Sequence, residues 1–274
     1  MTPFQMTSSL DGKEIFARHW PVDNPVAVMT LIHGFGEHCG RYDHMASHLN
    51  ANNIAVLSMD LRGHGQTEGK RGVVESYDHL ISDVACLIKK SGQLYPNIPQ
   101  YLFGHSMGGG IVLKYGLSQG DSLDGYLVSA PFILPAKPVP AVMRFIVRLL
   151  HRLLPRFAIA NPIDGTKISS IKAEQDAYEA DPLNHGTLGI GLAVNLVETG
   201  EDLLARAAEW KHPLLLWHAK QDQLTSFEAT EKFETQAQNC KFTAFEDVEH
   251  EMHNDACRNQ VYAMMVEYMI GRTV

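Results

Sequence analysis

Tyr101-Leu102-Phe103-Gly104-His105-Ser106-Met107-Gly108-Gly109-Gly110 is the stretch that decides how this chain folds. A compact apolar run, Tyr101 to Phe103, stops at a Gly-x-Ser-x-Gly sequence, and a helical pattern over Met107 to Ser118 follows. A strand that turns sharply into a helix exposes the serine between them at the top of a sheet. Glycines on both flanks let the reversal close without a Cβ clash. Gly109 and Gly110 allow the helix to approach neighbouring strands. A bare Gly-x-Ser-x-Gly also occurs by chance in ordinary turns. It is the strand before and the helix after that single out Ser106 as the candidate nucleophile.

The same alternation extends in both directions. Two extended segments, Gln5 to Ser9 and Glu14 to His19, flank Asp11-Gly12 and read as an antiparallel hairpin. Val26 to Ile32, Ile54 to Met59, Tyr126 to Ser129 and Leu214 to Trp217 are short apolar runs, and Lys241 to Phe245 is a further strand. Continuous rather than alternating apolar runs are what a parallel sheet covered on both faces requires. Between them, Tyr77, Leu80, Ile81, Val84, Leu87 and Ile88 follow helical spacing, so one stripe faces a core. Tyr42 to Asn52, Phe227 to Ala237 and Asp255 to Ile270 are further helices. The rhythm predicts an α/β fold with a mostly parallel central sheet flanked by helices. It breaks once. From Phe132 to about Ala208 no strand pattern is convincing, and the interval is too long for one crossover, so it reads as an insertion that folds on top of the sheet.

A serine at a helix start implies a place for a developing oxyanion. Helix-start amides carry partial positive charge, which makes the Met107 N–H one donor. The apolar run ending at Ile32 leads into His33-Gly34-Phe35-Gly36, where glycines let the backbone approach a ligand, and the Phe35 N–H is the expected second donor. The alternative for that segment is an ordinary β-turn.

Composition excludes other classes. The 274 residues carry 23 Lys and Arg against 31 Asp and Glu, a net charge of −8, with no polybasic block to neutralise phosphates. The 22 glycines have no triplet period, and the 45% apolar content speaks against a disordered chain. Cys39, Cys86, Cys240 and Cys257 form no Cys-x-x-Cys pair and read as free thiols in a reducing compartment. The first residues lack a basic segment followed by an apolar one, so no secretory signal is expected. Arg144, Arg148, Arg152 and Arg156 interrupt the most apolar stretch, Val139 to Ala160, short of the ~18 residues a bilayer span needs.

Taken together, His33-Gly34-Phe35-Gly36-Glu37-His38 with Gly40-Arg41-Tyr42, Asp60-Leu61-Arg62-Gly63-His64-Gly65 and Gly104-His105-Ser106-Met107-Gly108-Gly109 resemble the α/β-hydrolases of the monoacylglycerol lipase and lysophospholipase family. Asp181-Pro182-Leu183 and Gln221-Asp222-Gln223-Leu224 extend the match over nearly the whole chain. The resemblance implies an α/β-hydrolase core over residues 1–131 and 209–274, with a helical cap over 132–208 inserted after the sixth strand. In that fold the order is nucleophile, acid, base. Asp222 lies a short loop beyond Leu214 to Trp217 and matches the family's acid. Asp202 falls before that strand, and Asp247 and Asp255 crowd the histidine loop. The resemblance aligns Phe245-Glu246-Asp247-Val248-Glu249-His250 with the catalytic-histidine loop, which makes His250 the base and His253 the alternate. The family has Gly where Asp247 stands.

Other histidines invite a metal reading. His250-Glu251-Met252-His253 falls one residue short of His-Glu-x-x-His, and His44 and His48 lack a carboxylate on their own face. No metal or other cofactor is expected. Arg62 and His64 are read as a charged turn that fixes neighbouring loops, and His105 as packing.

Within the insertion, Pro138 to Phe157 repeats arginine every four residues among Val, Leu, Ile and Phe, and Pro155 ends or kinks this helix. Either the apolar stripe packs on the core with the arginines in water, or the segment lies at a lipid surface. The implied activity is a serine carboxylic-ester hydrolase that cleaves monoacylglycerol-type or related lipid esters through an acyl-enzyme. Lysophospholipase, aminopeptidase or thioesterase chemistry are the alternatives on the same capped fold. An aminopeptidase needs cap acids such as Glu174, Asp176, Glu179 and Asp181 to hold an ammonium. An intact triad disfavours a mere small-ligand receptor. The expected partner is a lipid ester, with contact between the cap and a membrane or micelle, no nucleic acid, and a cytoplasmic, membrane-peripheral location.

Overall fold

Alternation of apolar residues with period 2 on a strand sends successive side chains to opposite faces, so a run that is apolar throughout needs cover on both. The computed structural model, which describes residues 1–120 and 123–271, provides that cover. In chain order the elements are β1 (Thr2–Thr7), β2 (Glu14–Trp20), β3 (Ala27–Ile32), α1 (Asp43–Asn50), β4 (Ile54–Met59), α2 (Tyr77–Leu94), β5 (Gln100–His105), α3 (Met107–Gln119) and β6 (Gly125–Ser129). They continue as α4 (Ala141–Leu153), β7 (Ala158–Ala160), α5 (Lys172–Ala180), β8 (Thr187–Gly189), α6 (Ile190–Ala205), β9 (Leu214–Ala219), α7 (Phe227–Glu234), β10 (Cys240–Phe245) and α8 (Arg258–Ile270).

Eight strands form one sheet in the order β1-β2-β4-β3-β5-β6-β9-β10. The β1–β2 and β2–β4 pairs are antiparallel and all other neighbours are parallel. Strand β3 shows the two-sided burial directly. Val28 and Ile32 enter the core shared with α2 and α3, whereas Ala27, Met29 and Leu31 enter the core shared with α1 and α8. Helix α2 is started by Ser76, whose side chain accepts from the Asp78 N–H, and it buries the stripe Tyr77, Leu80, Ile81, Val84 and Leu87.

Topology places the site. From β3 the chain crosses to β4 on one side, while β5 lies on the other side of β3 and leads on to β6. Loops leaving the carboxyl ends of β3 and β5 therefore diverge and open a crevice, the usual ligand position in an open α/β sheet. Ile32 and Gly104 pair in the β3–β5 register, which sets the Gly34–Glu37 loop beside Ser106.

Three expectations need correction. The first strand of the hairpin is Thr2–Thr7 rather than Gln5 to Ser9, because its register is set by pairing with β2. The interval between β6 and β9 is not strand-free: β7 and β8 form an antiparallel ribbon too short to show a period in sequence. The arginine-rich helix is Ala141–Leu153 rather than the whole of Pro138 to Phe157; it ends just before Pro155 as expected, where the pre-proline Leu154 leaves the helical region with φ −137° and ψ 63°. Its apolar side does not pack on the core. Val142, Phe145 and Leu153 are 72%, 68% and 68% exposed, while Arg144 and Arg148 pair with Glu201 and Glu198 of α6 at 2.8 and 3.0 Å. No helix among the described residues is long and apolar enough to cross a membrane.

Candidate active site

Backbone strain marks the turn between β5 and α3. Ser106 has φ 54° and ψ −119°, outside the regions a non-glycine residue ordinarily occupies. The turn closes only because its flanks have no side chains. A Cβ on Gly104 would lie 2.4 Å from the Gly108 carbonyl oxygen, and one on Gly108 would lie 2.2 Å from that of Ile32. Ser106 occupies the N-cap of α3 yet makes no capping hydrogen bond with its side chain. Its hydroxyl is thus not spent on the helix, while the helix N-terminus directs partial positive charge at the same point.

Asp222 and His250 meet after β9 and β10. His250 Nδ1 donates to Asp222 Oδ2 at 2.6 Å, and both side chains are buried. The carboxylate is held by further donors: Leu224 and Thr225 amides reach Oδ1 at 2.7 and 3.1 Å, and His218 Nε2 reaches Oδ2 at 2.9 Å. Burial favours the neutral carboxyl, but the His250 charge and the hydrogen bonds from His218 and His250 outweigh it, and Asp222 stays well below the usual carboxylate range. Burial also disfavours a charged His250, yet Asp222 overrides it, so the imidazole titrates above its ordinary value of 6.5. An imidazole tethered through Nδ1 presents Nε2 as the proton acceptor, the arrangement a hydroxyl nucleophile needs. The loop before it contains Asp247 at φ 57°, a left-handed position that favours Gly and that Asp tolerates.

The loop after β3 abuts the serine: a Cβ on Gly34 would lie 3.2 Å from Ser106 Cβ. Two contacts from the segment after α5 hold this loop. His185 N–H donates to the Gly36 carbonyl at 2.8 Å, and His38 Nε2 donates to Asp181 Oδ2 at 2.8 Å, since its Nδ1 accepts from the Gly40 amide. The Phe35 ring packs edge-on against His64 and His185, at centroid distances of 5.8 and 5.7 Å.

Below Phe35 lies a polar cluster. Arg41 donates to Glu37 at 2.8 Å and to both Glu251 oxygens at 2.6 and 2.8 Å, and its guanidinium sits 4.8 Å from the Tyr178 ring centroid. Burial pushes Glu251 up, but Arg41 pulls it down to about 2. Glu37, His105 and Glu251 are the one group of three metal-type ligands within reach of each other among the described residues, and Arg41 already engages both carboxylates.

Ser106, His250, Phe35 and Met107 all line one cavity of about 400 Å³. Glu37, His105, Tyr178 and Glu251 contribute polar wall, and Phe132, Val139, Ile163, Leu188, Leu196 and Leu224 contribute apolar wall. Asp222 stands behind His250 rather than in the lining.

Of the other polar residues weighed in the sequence, His105 shares the cavity lining, while His253, Arg62, His64 and the cap acids stand outside it. His253 stacks on Tyr42 at 5.0 Å, stands outside the cavity lining, and burial pushes it down to about 3. Arg62 is bound by Asp11, Asp83 and Ser8. His64 is buried and donates through Nδ1 to the Arg62 carbonyl. His105 lies 4.6 Å from His250 ring to ring, and burial holds it well below the ordinary range. Glu174, Asp176 and Asp181 pair with Arg258, Lys172 and His38, and neither they nor Glu179 line the cavity. Reasoning from sequence missed His218, Thr225 and Tyr178. Only His218, a polar ring in an apolar strand four residues before Asp222, left a visible mark.

Residues 23–256 match the family described as serine aminopeptidase, S33. An uncharacterized abhydrolase domain-containing protein of Dictyostelium discoideum is 33% identical over 97% of this chain, which spans 29% of that relative's length. Monoacylglycerol lipase of Mycolicibacterium smegmatis is 33% identical, with 79% of this chain and 78% of the relative covered. Among solved structures, a soluble variant of monoglyceride lipase from Saccharomyces cerevisiae in complex with a substrate analog has a TM-score of 0.88 at 25% identity, covering 100% of this chain and 96% of that one.

Proposed function

The chain belongs to the α/β-hydrolases of the monoacylglycerol lipase family, and on that premise we propose that it cleaves monoacylglycerol-type lipid esters through an acyl-enzyme formed on Ser106. The observation that carries this reading is one cavity lined by Ser106 and His250 together with both hydrogen-bonding and apolar side chains. An ester of a fatty acid with a small alcohol carries the same two kinds of group. The alcohol oxygens meet hydrogen-bonding groups at Glu37, Tyr178 and Glu251. The acyl chain meets Val139, Ile163, Leu196 and Leu224, with burial contributing ~0.8 kcal/mol per CH₂.

In this mechanism His250 Nε2 takes the Ser106 proton as Oγ attacks the ester carbonyl. The tetrahedral oxyanion is held by the Phe35 and Met107 amides. His250 returns the proton to the departing alcohol oxygen, leaving the acyl group on Ser106. A water molecule then loses its proton to His250, attacks the acyl carbon, and releases the fatty acid with Ser106 reprotonated. Asp222 holds the imidazole tautomer and stabilises the imidazolium. Residues 1–131 and 209–274 serve as the catalytic core and 132–208 as a cap, whose Asp181 and His185 reach down to the oxyanion loop. Exposed apolar residues on α4 give the cap a surface for a membrane or micelle that presents the substrate.

An aminopeptidase reading finds less support, because Glu174, Asp176 and Asp181 are turned to other partners and neither they nor Glu179 line the cavity to hold a substrate ammonium. A side-by-side assay of a monoacylglycerol, a lysophospholipid and an amino-acid amide separates the classes. The monoacylglycerol is expected to turn over fastest, and p-nitrophenyl esters are expected to improve with chain length. Preference for the amide, or a steep preference for acetyl esters, overturns the reading.

A further inference from the structure

We infer that His218 is a positioning residue for ester hydrolysis, acting through Asp222 to fix the carboxylate and to temper its pull on His250. The inference rests on the triad reading above. His218 lies in β9 among Leu214, Leu215, Leu216, Trp217 and Ala219, and is fully buried. Both ring nitrogens are engaged: Nε2 donates to Asp222 Oδ2 at 2.9 Å, and Nδ1 meets the Thr230 hydroxyl of α7 at 2.8 Å. A histidine that merely filled the core would need partners only to satisfy itself. This one is aimed at the oxygen that also accepts from His250 Nδ1 at 2.6 Å.

Sharing one oxygen has two consequences. The carboxylate cannot swing away from His250 without losing His218 and the Thr225 hydroxyl, which reaches Oδ2 at 2.8 Å. Each donor on Oδ2 also stabilises its negative charge and so lowers the carboxylate's capacity to hold a proton on His250. Too strong a pull would keep His250 protonated and unfit as a base; too weak a pull would lose the imidazolium. Other charges around the couple come from several elements. His250 is faced by Asp222, Glu251, Glu37, His105 and His253, and Asp222 also by Glu249. His218 is faced by Asp222, by Glu228 and by the Phe227 ring at 5.7 Å. Of these, His218 and Thr225 are the groups that share the Asp222 oxygen with His250.

The test is the pH dependence of kcat/KM on a soluble p-nitrophenyl ester, with melting temperature measured in parallel. His218→Phe is expected to lower kcat/KM about tenfold and to move its acid limb up by about half a pH unit, because Asp222 becomes more basic. His218→Gln, which can restore an N–H donor, is expected to return the limb toward the parent. Thr230→Val, which removes the partner on Nδ1, is expected to move the limb in the same direction by less. It decides the matter if His218→Phe does not fold. Lower melting temperatures with an unmoved acid limb overturn the inference and leave His218 as core packing. Asp222→Asn is the control for the underlying reading: retained turnover there removes the triad assignment itself, whereas lost turnover with an unmoved limb in the His218 and Thr230 variants removes only the role of His218.

Discussion

Helices α3 and α4 are each thirteen residues long and rich in apolar side chains, yet they end in opposite surroundings. Helix α3 is buried from Met107 through Leu113, with Gly108, Gly109 and Gly110 pressed against the backbone of β3 and the segment after β6. Every residue of α4 is at least partly exposed. The difference is arrangement rather than content. Helix α3 is apolar or small on all sides over its first seven residues, which suits a core. Helix α4 carries Arg144 and Arg148 on the side that meets α6, where Glu198 and Glu201 hold them, and this turns Val142, Phe145 and Leu149 outward. One helix is therefore fixed in the core at the serine turn, and the other presents an apolar surface to solvent.

The contrast is broken most severely at the head of α3. Ser106→Ala is expected to lower kcat by about 10⁶ while leaving the melting temperature close to the parent, since Ser106 contributes no capping bond to the helix. Esterase assay and thermal denaturation of the same preparation check both halves.

A smaller effect comes from the body of that helix. Leu113→Ala removes a fully buried side chain and is expected to cost about 2–5 kcal/mol of stability, measurable by urea unfolding. Leu149→Ser on α4 is expected to change stability by less than about 0.5 kcal/mol, because its side chain is already half in water. Equal costs at the two positions would erase the distinction.

Proton linkage sharpens the comparison at the partner of Ser106. His250 must be neutral to act as base, and its pKa is raised above 6.5, so kcat/KM is expected to fall about tenfold per pH unit below a midpoint higher than 6.5. Stability runs the other way. Because the folded pKa is the higher one, protonation of His250 stabilises the fold fully below the unfolded value, and this contribution is lost as pH rises through the folded value. The enzyme is expected to be most active where that protonation contributes least to stability, which a pH series of activity and denaturation profiles tests.

The gentlest probe leaves the core untouched. Phe145→Ser combined with Leu149→Ser is expected to reduce turnover of a monoacylglycerol in vesicles about tenfold, with a soluble short-chain ester unaffected. Parallel losses on both substrates would assign α4 to the active site rather than to a lipid surface.

Much of the frame is legible in the residues themselves. Strands β3 to β6, β9 and β10, with helices α1, α2, α3, α7 and α8, announce themselves through short apolar runs and helical stripes, because the pattern that buries an element is written in its own residues; α5 and α6 of the insertion do not. Ser106 is legible for the same reason: strand, strained turn and helix are contiguous. Asp222 and His250 come through resemblance to a family, and their 2.6 Å contact is visible only in the fold. The orientation of α4 is not readable, since a repeating arginine says which residues share a side and nothing about which side meets a neighbour. Nor is the ribbon of β7 and β8, whose three-residue strands show no period.

What the chain determines locally is therefore its inventory of elements and the reversal that exposes Ser106: backbone geometry and burial pattern are properties of neighbouring residues. Tertiary structure alone decided that Arg41 lies between Glu37 and Glu251, the latter 210 residues away, that His218 shares a carboxylate oxygen with His250, and that Asp181 and His185 hold the loop after β3. Apart from the local Arg41–Glu37 and His218–Asp222 bonds, those contacts join residues far apart in sequence, and they exist because sheet order and helix packing bring distant loops to one edge, where buried charges must find partners or remain uncompensated.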